Sequence, residues 1–317
     1  MKLKSCDVFI LGGGVVGLGA AIYAGRLGLE SVVVGKLTGG TITKTDVVQN
    51  YPGIKSVTGA ELANKFMDHA KEYGAKIYSG EVSDVSWNKK RNCFLVKTKK
   101  THYNAKTLLF ATGAEWRKLD APGAKEYENK GVHYCALCDG PLYKNKIVAV
   151  VGGGDSAAKE ALLMAKYAKR VYVLARSTLK PEPINKKLVD GEKKISVIEG
   201  VEVKEVRGGK FVEEIVLSKK VGDSDVLKID GMFVDIGQVP NSGLVKKIGV
   251  KMNKAGEIVV GKESHTNIKG VWAAGDVTDA KFKQAITGVG EAVRAVYGIY
   301  EYLKNEKVLC SCVDENC

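Results

Sequence analysis

A chain of 317 residues is long enough for two domains, each with its own core. Hydrophobic residues make up 45% of it and charged residues 27%, which leaves too little polar bias for a long disordered region. The 49 Lys and Arg against 36 Asp and Glu give a formal charge of +13, yet no basic stripe carries interleaved aromatics, so no nucleic-acid partner is expected.

In chain order, the first informative stretch is Val8–Gly25, an uncharged run behind Lys2 and Lys4 with some look of a targeting or membrane segment. Its glycines point elsewhere. Asp7–Lys36 has the pattern of strand, glycine turn, helix and second strand, and the pattern returns at Ile147–Arg176 with the glycines in register. Each copy is a βαβ unit of about 30 residues. Gly12-x-Gly14-x-x-Gly17 and Gly152-x-Gly154-x-x-Ala157 place glycine at the sharp turn, glycine where backbone approaches a pyrophosphate, and a small residue where helix meets strand. The diphosphate would sit on free N–H groups of the following helix, beside Asp155 and Ser156 in the second copy. A pair of purely structural βα turns is the alternative. The predicted fold class is α/β, with two doubly wound, Rossmann-like three-layer dinucleotide-binding domains. No membrane association follows from this pattern.

Between the copies, Leu108–Phe110 is a predicted strand running into Ala111-Thr112-Gly113-Ala114, and late in the chain Val271–Ala274 runs into Gly275-Asp276. Strand ends of this kind bind ligands in open parallel sheets, and Asp276 suits cofactor hydroxyls or, alternatively, a turn or helix cap. Seven cysteines are too few for a disulfide scaffold, which points to a reducing compartment and a cytoplasmic location. Cys135-Ala136-Leu137-Cys138 puts two thiols one helical turn apart, the spacing of a reversible disulfide. It is also half of a zinc site, for which His133 and the tail cysteines are the remaining candidates, and redox use is favoured with no metal expected. Asp139 is the first residue of an Asp-Gly turn before Pro141, a place that leaves it free for a second role.

These motifs, in this order, resemble the low-molecular-weight thioredoxin reductases over nearly the whole chain. Further family-like pieces are Thr38-Gly39-Gly40, Asn50-Tyr51-Pro52-Gly53, Phe233–Asn241 and Gln284-Ala285-Ile286. The resemblance implies an FAD-binding domain in two parts, 1–114 and 244–317, with an NAD(P)H-binding domain at 115–243 that carries the C-x-x-C. It implies that Gly12, Gly14, Gly17, Thr38, Gly39, Gly40, Asn50, Gly113, Asp276, Gln284 and Ala285 line the flavin, with Thr112, Gly275 and Lys283 assigned alongside them. It also implies that Cys138 lies against the flavin, that Cys135 attacks the partner's disulfide, and that Asp139 handles the proton. The inserted domain would turn about linkers near Glu115–Lys118 and Asn241–Gly243. Thioredoxin, or a thioredoxin-like or glutaredoxin-like protein, is the implied partner, and a homodimer the implied assembly.

One departure concerns the electron donor. Where the family carries H-R-R-x-x-x-R, this chain has Ala175-Arg176-Ser177-Thr178-Leu179-Lys180-Pro181, which leaves Arg176 and Lys180 as the cations for NADPH. No acidic residue replaces the arginines to select NADH. A ferredoxin or another flavoprotein as donor is the alternative within the fold, and a flavin- or zinc-binding sensor without turnover the alternative outside enzymology. Cys310, Cys312 and Cys317 crowd the C-terminal end and suggest a mobile redox or metal-binding tail.

Overall fold

The computed structural model describes residues 3–45, 48 and 50–306, the side chains of Lys44, Leu137 and Cys138 excepted. It divides into two compact units, 1–115 with 239–317 and 116–238.

In the first unit, β1 (Leu3–Leu11) leads through a glycine turn to α1 (Val15–Arg26) and β2 (Ser31–Gly35). After a 3-10 turn come α2 (Gly59–Glu72), β3 (Lys76–Ser79), β4 (Val82–Asn88), β5 (Cys93–Thr98) and β6 (His102–Phe110). Residues 8–11 of β1 are all buried, the signature of a parallel strand covered on both faces. Thus the apolar run Val8–Gly25 supplies the end of β1 and most of α1, and among the described residues no helix is long and apolar enough to cross a membrane. Thr58 and Glu61 form a reciprocal capping box that starts α2. The sheet order is β3-β2-β1-β6-β5-β4, parallel except at β4 and β5.

The second unit follows β7 (Ala114–Trp116). It runs β8 (Val132–His133), the single turn α3 (Ala136–Asp139), β9 (Ile147–Val151), α4 (Asp155–Ala165), β10 (Arg170–Ala175), α5 (Pro183–Gly191) and β11 (Ile195–Glu199). A three-stranded antiparallel sheet of β12 (Val203–Gly208), β13 (Val212–Val221) and β14 (Ser224–Lys228) precedes β15 (Gly231–Val234). The parallel sheet has the order β11-β10-β9-β15-β8, so both βαβ repeats are present as parallel pairs crossed by α1 and α4.

The chain returns through β16 (Gln238–Pro240) to the first unit, which it completes with β17 (Val271–Ala273) and α6 (Ala285–Glu306). β17 pairs with the C-terminal half of β6, Val271 opposite Leu108, while β5 pairs with its N-terminal half. The return falls between Gln238 and Val239, ahead of the 243/244 boundary read from the sequence. The reason is local. Asn241 N–H donates to Gly113 O at 2.9 Å, its amide donates to Thr112 O at 3.1 Å, and Thr112 Oγ1 donates to Asn241 O at 2.7 Å.

Candidate active site

The first glycine turn is built by close backbone approach. A Cβ on Gly12, whose φ is +121°, would stand 2.1 Å from Ala111 O, and one on Gly17 would stand 2.0 Å from Gly12 O. Gly14 caps α1 without a side-chain hydrogen bond, and no acidic residue lies in the first helical turn. The N–H groups there are left to an anion, which fits a diphosphate. Gly39 N–H donates to Gly13 O at 2.7 Å and ties the Thr38-Gly39-Gly40 loop against the same turn.

The later elements add polar groups to this unit. The Asn50 amide donates to Gln284 Oε1 at 2.9 Å, which joins two predicted flavin residues 234 positions apart. Burial pushes the Asp276 carboxyl up, and Lys283 opposes that shift. Lys283 donates to Asp276 O at 3.0 Å and pairs with Glu257. Gly275 N–H donates to Glu291 Oε2 at 2.8 Å, and burial raises the Glu291 carboxyl as well. Glu257 and Glu291 carry no motif in the sequence, and only the fold brings them to the Gly275-Asp276 turn.

In the second unit the turn repeats with a difference. A Cβ on Gly152 would stand 2.3 Å from Asp235 O, whereas nothing lies within 4 Å of one on Gly154. Lys180 N–H donates to Gly153 O at 2.9 Å, so Lys180 occupies the place that Gly39 holds in the first unit. Asp155 opens α4, and hydrogen bonds from Lys159, Asn185 and the Glu182 N–H hold its carboxyl down to about 2. Lys159, a residue to which the sequence assigned no role, is 2.6 Å from it. Ser156 is exposed beside it, and Ala157 is buried against the turn. Arg176 and Lys180 are both exposed. Carboxylates share that loop: Glu199 accepts from Leu179 N–H at 2.8 Å, and Glu202, held below the usual carboxylate range mainly by Lys204, also feels Arg176.

The C-x-x-C segment lies in this unit. Cys135 is disulfide-bonded, and the thiol of Cys138 lies outside the described residues. Asp139 N–H donates to Cys135 O at 3.1 Å, which closes the turn around the motif. Two neighbours enter here, Glu160, which no motif marked, and His133, which the sequence offered only as a zinc ligand. Glu160 of α4 accepts from Ala136 N–H at 3.2 Å, and burial drives its carboxyl up to about 8, with Asp235 adding to the shift. His133 lies with Nδ1 3.0 Å from Asp139 Oδ2. Among the described residues no group of three His, Cys, Asp or Glu is placed to hold a metal. Cys310, Cys312 and Cys317 lie outside the described residues.

Two glycine turns on uncapped helices, with a disulfide in the inserted unit, make a specific arrangement, and residues 6–292 match the profile of one family. The chain belongs to the pyridine nucleotide-disulphide oxidoreductases. The family works with a flavin and a pyridine nucleotide, which agrees with the two turns. The chain is 33% identical over 305 residues to the thioredoxin reductase of Bacillus subtilis, covering 95% of this chain and 96% of that protein. The thioredoxin reductase of Streptococcus pyogenes superposes with a TM-score of 0.77 at 32% identity, covering 95% of this chain and 99% of that one. A ferredoxin-flavin thioredoxin reductase from Clostridium acetobutylicum is 31% identical with a TM-score of 0.52, covering 96% and 99%. The resemblance to low-molecular-weight thioredoxin reductases and the α/β class of two Rossmann-like domains are therefore borne out.

Proposed function

We propose that this oxidoreductase is a thioredoxin-disulfide reductase that takes electrons from NADPH or NADH through FAD and a Cys135–Cys138 disulfide to a small disulfide protein. The observation that carries this reading is the disulfide-bonded Cys135 at the start of the inserted dinucleotide unit, with Asp139 closing its turn.

FAD would be held by Gly12, Gly14 and Gly17 at its diphosphate, by the Thr38–Gly40 loop and Gly113, and by Asn50, Gln284, Ala285, Gly275, Asp276 and Lys283 at its polar edges. When bound it supplies the change from hydride to electron-pair transfer that thiols alone cannot make. The nicotinamide nucleotide would lie on Gly152, Gly154, Asp155, Ser156 and Ala157, with Arg176 and Lys180 beside its ribose. In exchange with the partner, the Cys135 thiolate attacks, Cys138 resolves the mixed disulfide, and Asp139 moves the proton. The protein's part is to place these groups and to keep a proton within reach of the departing thiolate.

A ferredoxin donor is the second reading. It is favoured by the single arginine after β10, by Glu199 and Glu202 around it, and by the ferredoxin-flavin relative. Anaerobic titration of the holoenzyme with NADPH, NADH and reduced ferredoxin, followed by turnover with oxidised thioredoxin, tests both. Bleaching of the flavin by either nucleotide with thioredoxin reduction supports the first reading, and bleaching by ferredoxin alone replaces it with the second. No thioredoxin reduction with any donor overturns the function.

A further inference from the structure

His133 ends β8 two residues before Cys135, and its imidazole is almost completely buried. Its Nδ1 is 3.0 Å from Asp139 Oδ2, and its Nε2 is 2.7 Å from the Tyr143 hydroxyl. Phe233 of β15 stacks on the ring at 5.4 Å, and Tyr143 meets both rings edge-on at 5.3 and 5.4 Å. The imidazole therefore cannot turn without displacing two aromatic neighbours. A line of polar atoms runs inward from Asp139, whose side chain is 30% exposed, to His133, at 7%.

Burial pushes the Tyr143 hydroxyl up to about 12, so it remains protonated and serves as a fixed hydrogen-bond partner. In the tautomer that carries the ring proton on Nε2, directed at the Tyr143 oxygen, Nδ1 presents its lone pair to Asp139; in the other, Nδ1 already holds the proton there. The Asp139 contact is at ion-pair distance, and Nδ1 has no hydrogen bond among the described residues. A buried ring nitrogen with a lone pair 3.0 Å from a carboxylate is a place to put a proton.

We propose that His133 is a positioning residue that acts through Asp139, taking on Nδ1 the proton that Asp139 receives during thiol–disulfide exchange. This rests on the reading of Cys135 and Cys138 as the exchanging thiols. The Cys135 thiolate attacks one sulfur of the partner's disulfide, the partner's S–S bond breaks, and its second sulfur leaves with the electron pair. Cys138 then gives its proton to Asp139 and attacks the Cys135 sulfur, which reforms the enzyme disulfide and releases the partner's other sulfur. The proton rests on His133 as an imidazolium beside the Asp139 carboxylate, and returns through Asp139 to a departing thiolate. One dithiol is oxidised and one disulfide reduced, with the Cys138 proton ending on the product.

The groups that face this pair are few. Asp139 faces His133 from α3 and Tyr143 from the 3-10 turn after it, while β15 presents the uncharged Phe233. Asp230, just before β15, acts on Tyr143, and Glu160 of α4 reaches the Ala136 N–H of the same turn.

The experiment uses the FAD-loaded enzyme and oxidised thioredoxin. His133→Asn should lower turnover about tenfold, a fraction of what a positioned acid–base group supplies. Asp139→Asn should lower it further, and the double variant should match Asp139→Asn alone. Iodoacetamide alkylation of the dithiothreitol-reduced enzyme should show two inflections with pH in the wild type and one in His133→Asn, because a proton shared with the pair couples it to the thiol. Tyr143→Phe keeps the ring packing and should displace the extra inflection. Identical alkylation profiles for wild type and His133→Asn, or additive losses in the double variant, overturn the proposal. If His133→Asn fails to fold, an unaltered profile in Tyr143→Phe does so. Turnover that survives Cys135→Ser would instead remove the thiol reading on which the proposal stands.

Discussion

Glu160 Oε1 accepts from the Ala136 N–H at 3.2 Å, which fastens α4 to the first residue between the two cysteines. The other carboxylate oxygen, Oε2, is buried with no hydrogen bond among the described residues, and burial raises the group to about 8. A protonated Glu160 costs far less there than an ionised one, which would be an uncompensated buried charge.

Stability should report this directly. The unfolded chain releases the Glu160 proton at the ordinary glutamate value, and the folded chain keeps it to about 8. Between those limits the folded state binds more protons, so stability falls as pH rises, by at most about 1.4 kcal/mol per pH unit. Glu160→Gln keeps the hydrogen bond to Ala136 and removes the ionisation. Denaturant melts should show the variant equal to wild type at pH 4.5 and more stable at pH 8. Parallel stability curves would mean that Glu160 is ionised at no cost.

The second glycine turn separates folding from binding. Gly152→Ala drives a Cβ to 2.3 Å from Asp235 O and should lower Tm by several degrees. Gly154→Ala meets nothing within 4 Å, so Tm should stay at the wild-type value while the KM for the nicotinamide nucleotide rises more than about tenfold. A nucleotide KM that does not move in a well-folded Gly154→Ala would place the nucleotide elsewhere.

Donor preference should be modest. A charge-assisted phosphate contact is worth about 1.5 to 3 kcal/mol, and Arg176 already shares its surroundings with Glu202. We expect kcat/KM for NADPH over NADH nearer tenfold than a hundredfold, falling to near unity in Arg176→Ala. Selectivity that survives that change would assign the phosphate to another cation.

The excess of positive charge, +13, should steer an acidic partner. At saturating nicotinamide nucleotide, kcat/KM for thioredoxin should then drop as ionic strength rises. A flat salt dependence would leave the basic surface without this part in partner capture.

The glycine turns and the C-x-x-C were legible because each is a local pattern whose geometry follows from neighbouring residues. Asn50 meeting Gln284, Glu291 reaching Gly275 N–H, and Lys283 pairing with Glu257 each require the completed sheet of the first unit. Glu160 went unread, and His133 was read only as a candidate zinc ligand, for another reason. Their character comes from burial against α3 and β15, and a carboxyl or imidazole looks the same in a sequence whether wet or dry. The resemblance implies a second junction at 243/244, and no local pattern marks that Asn241 has its amide and N–H both tied to the Thr112-Gly113 turn.

The loop after β10 is held to the glycine turn by a peptide group, Lys180 N–H to Gly153 O, and not by the lysine side chain, which is exposed. In the first unit the same bond is made by a glycine. What the fold inspects at this position is only the main chain, so almost any residue other than proline satisfies it. On the proposed placement of the nicotinamide nucleotide, the side chain at position 180 is therefore free to change with the donor at little consequence for folding.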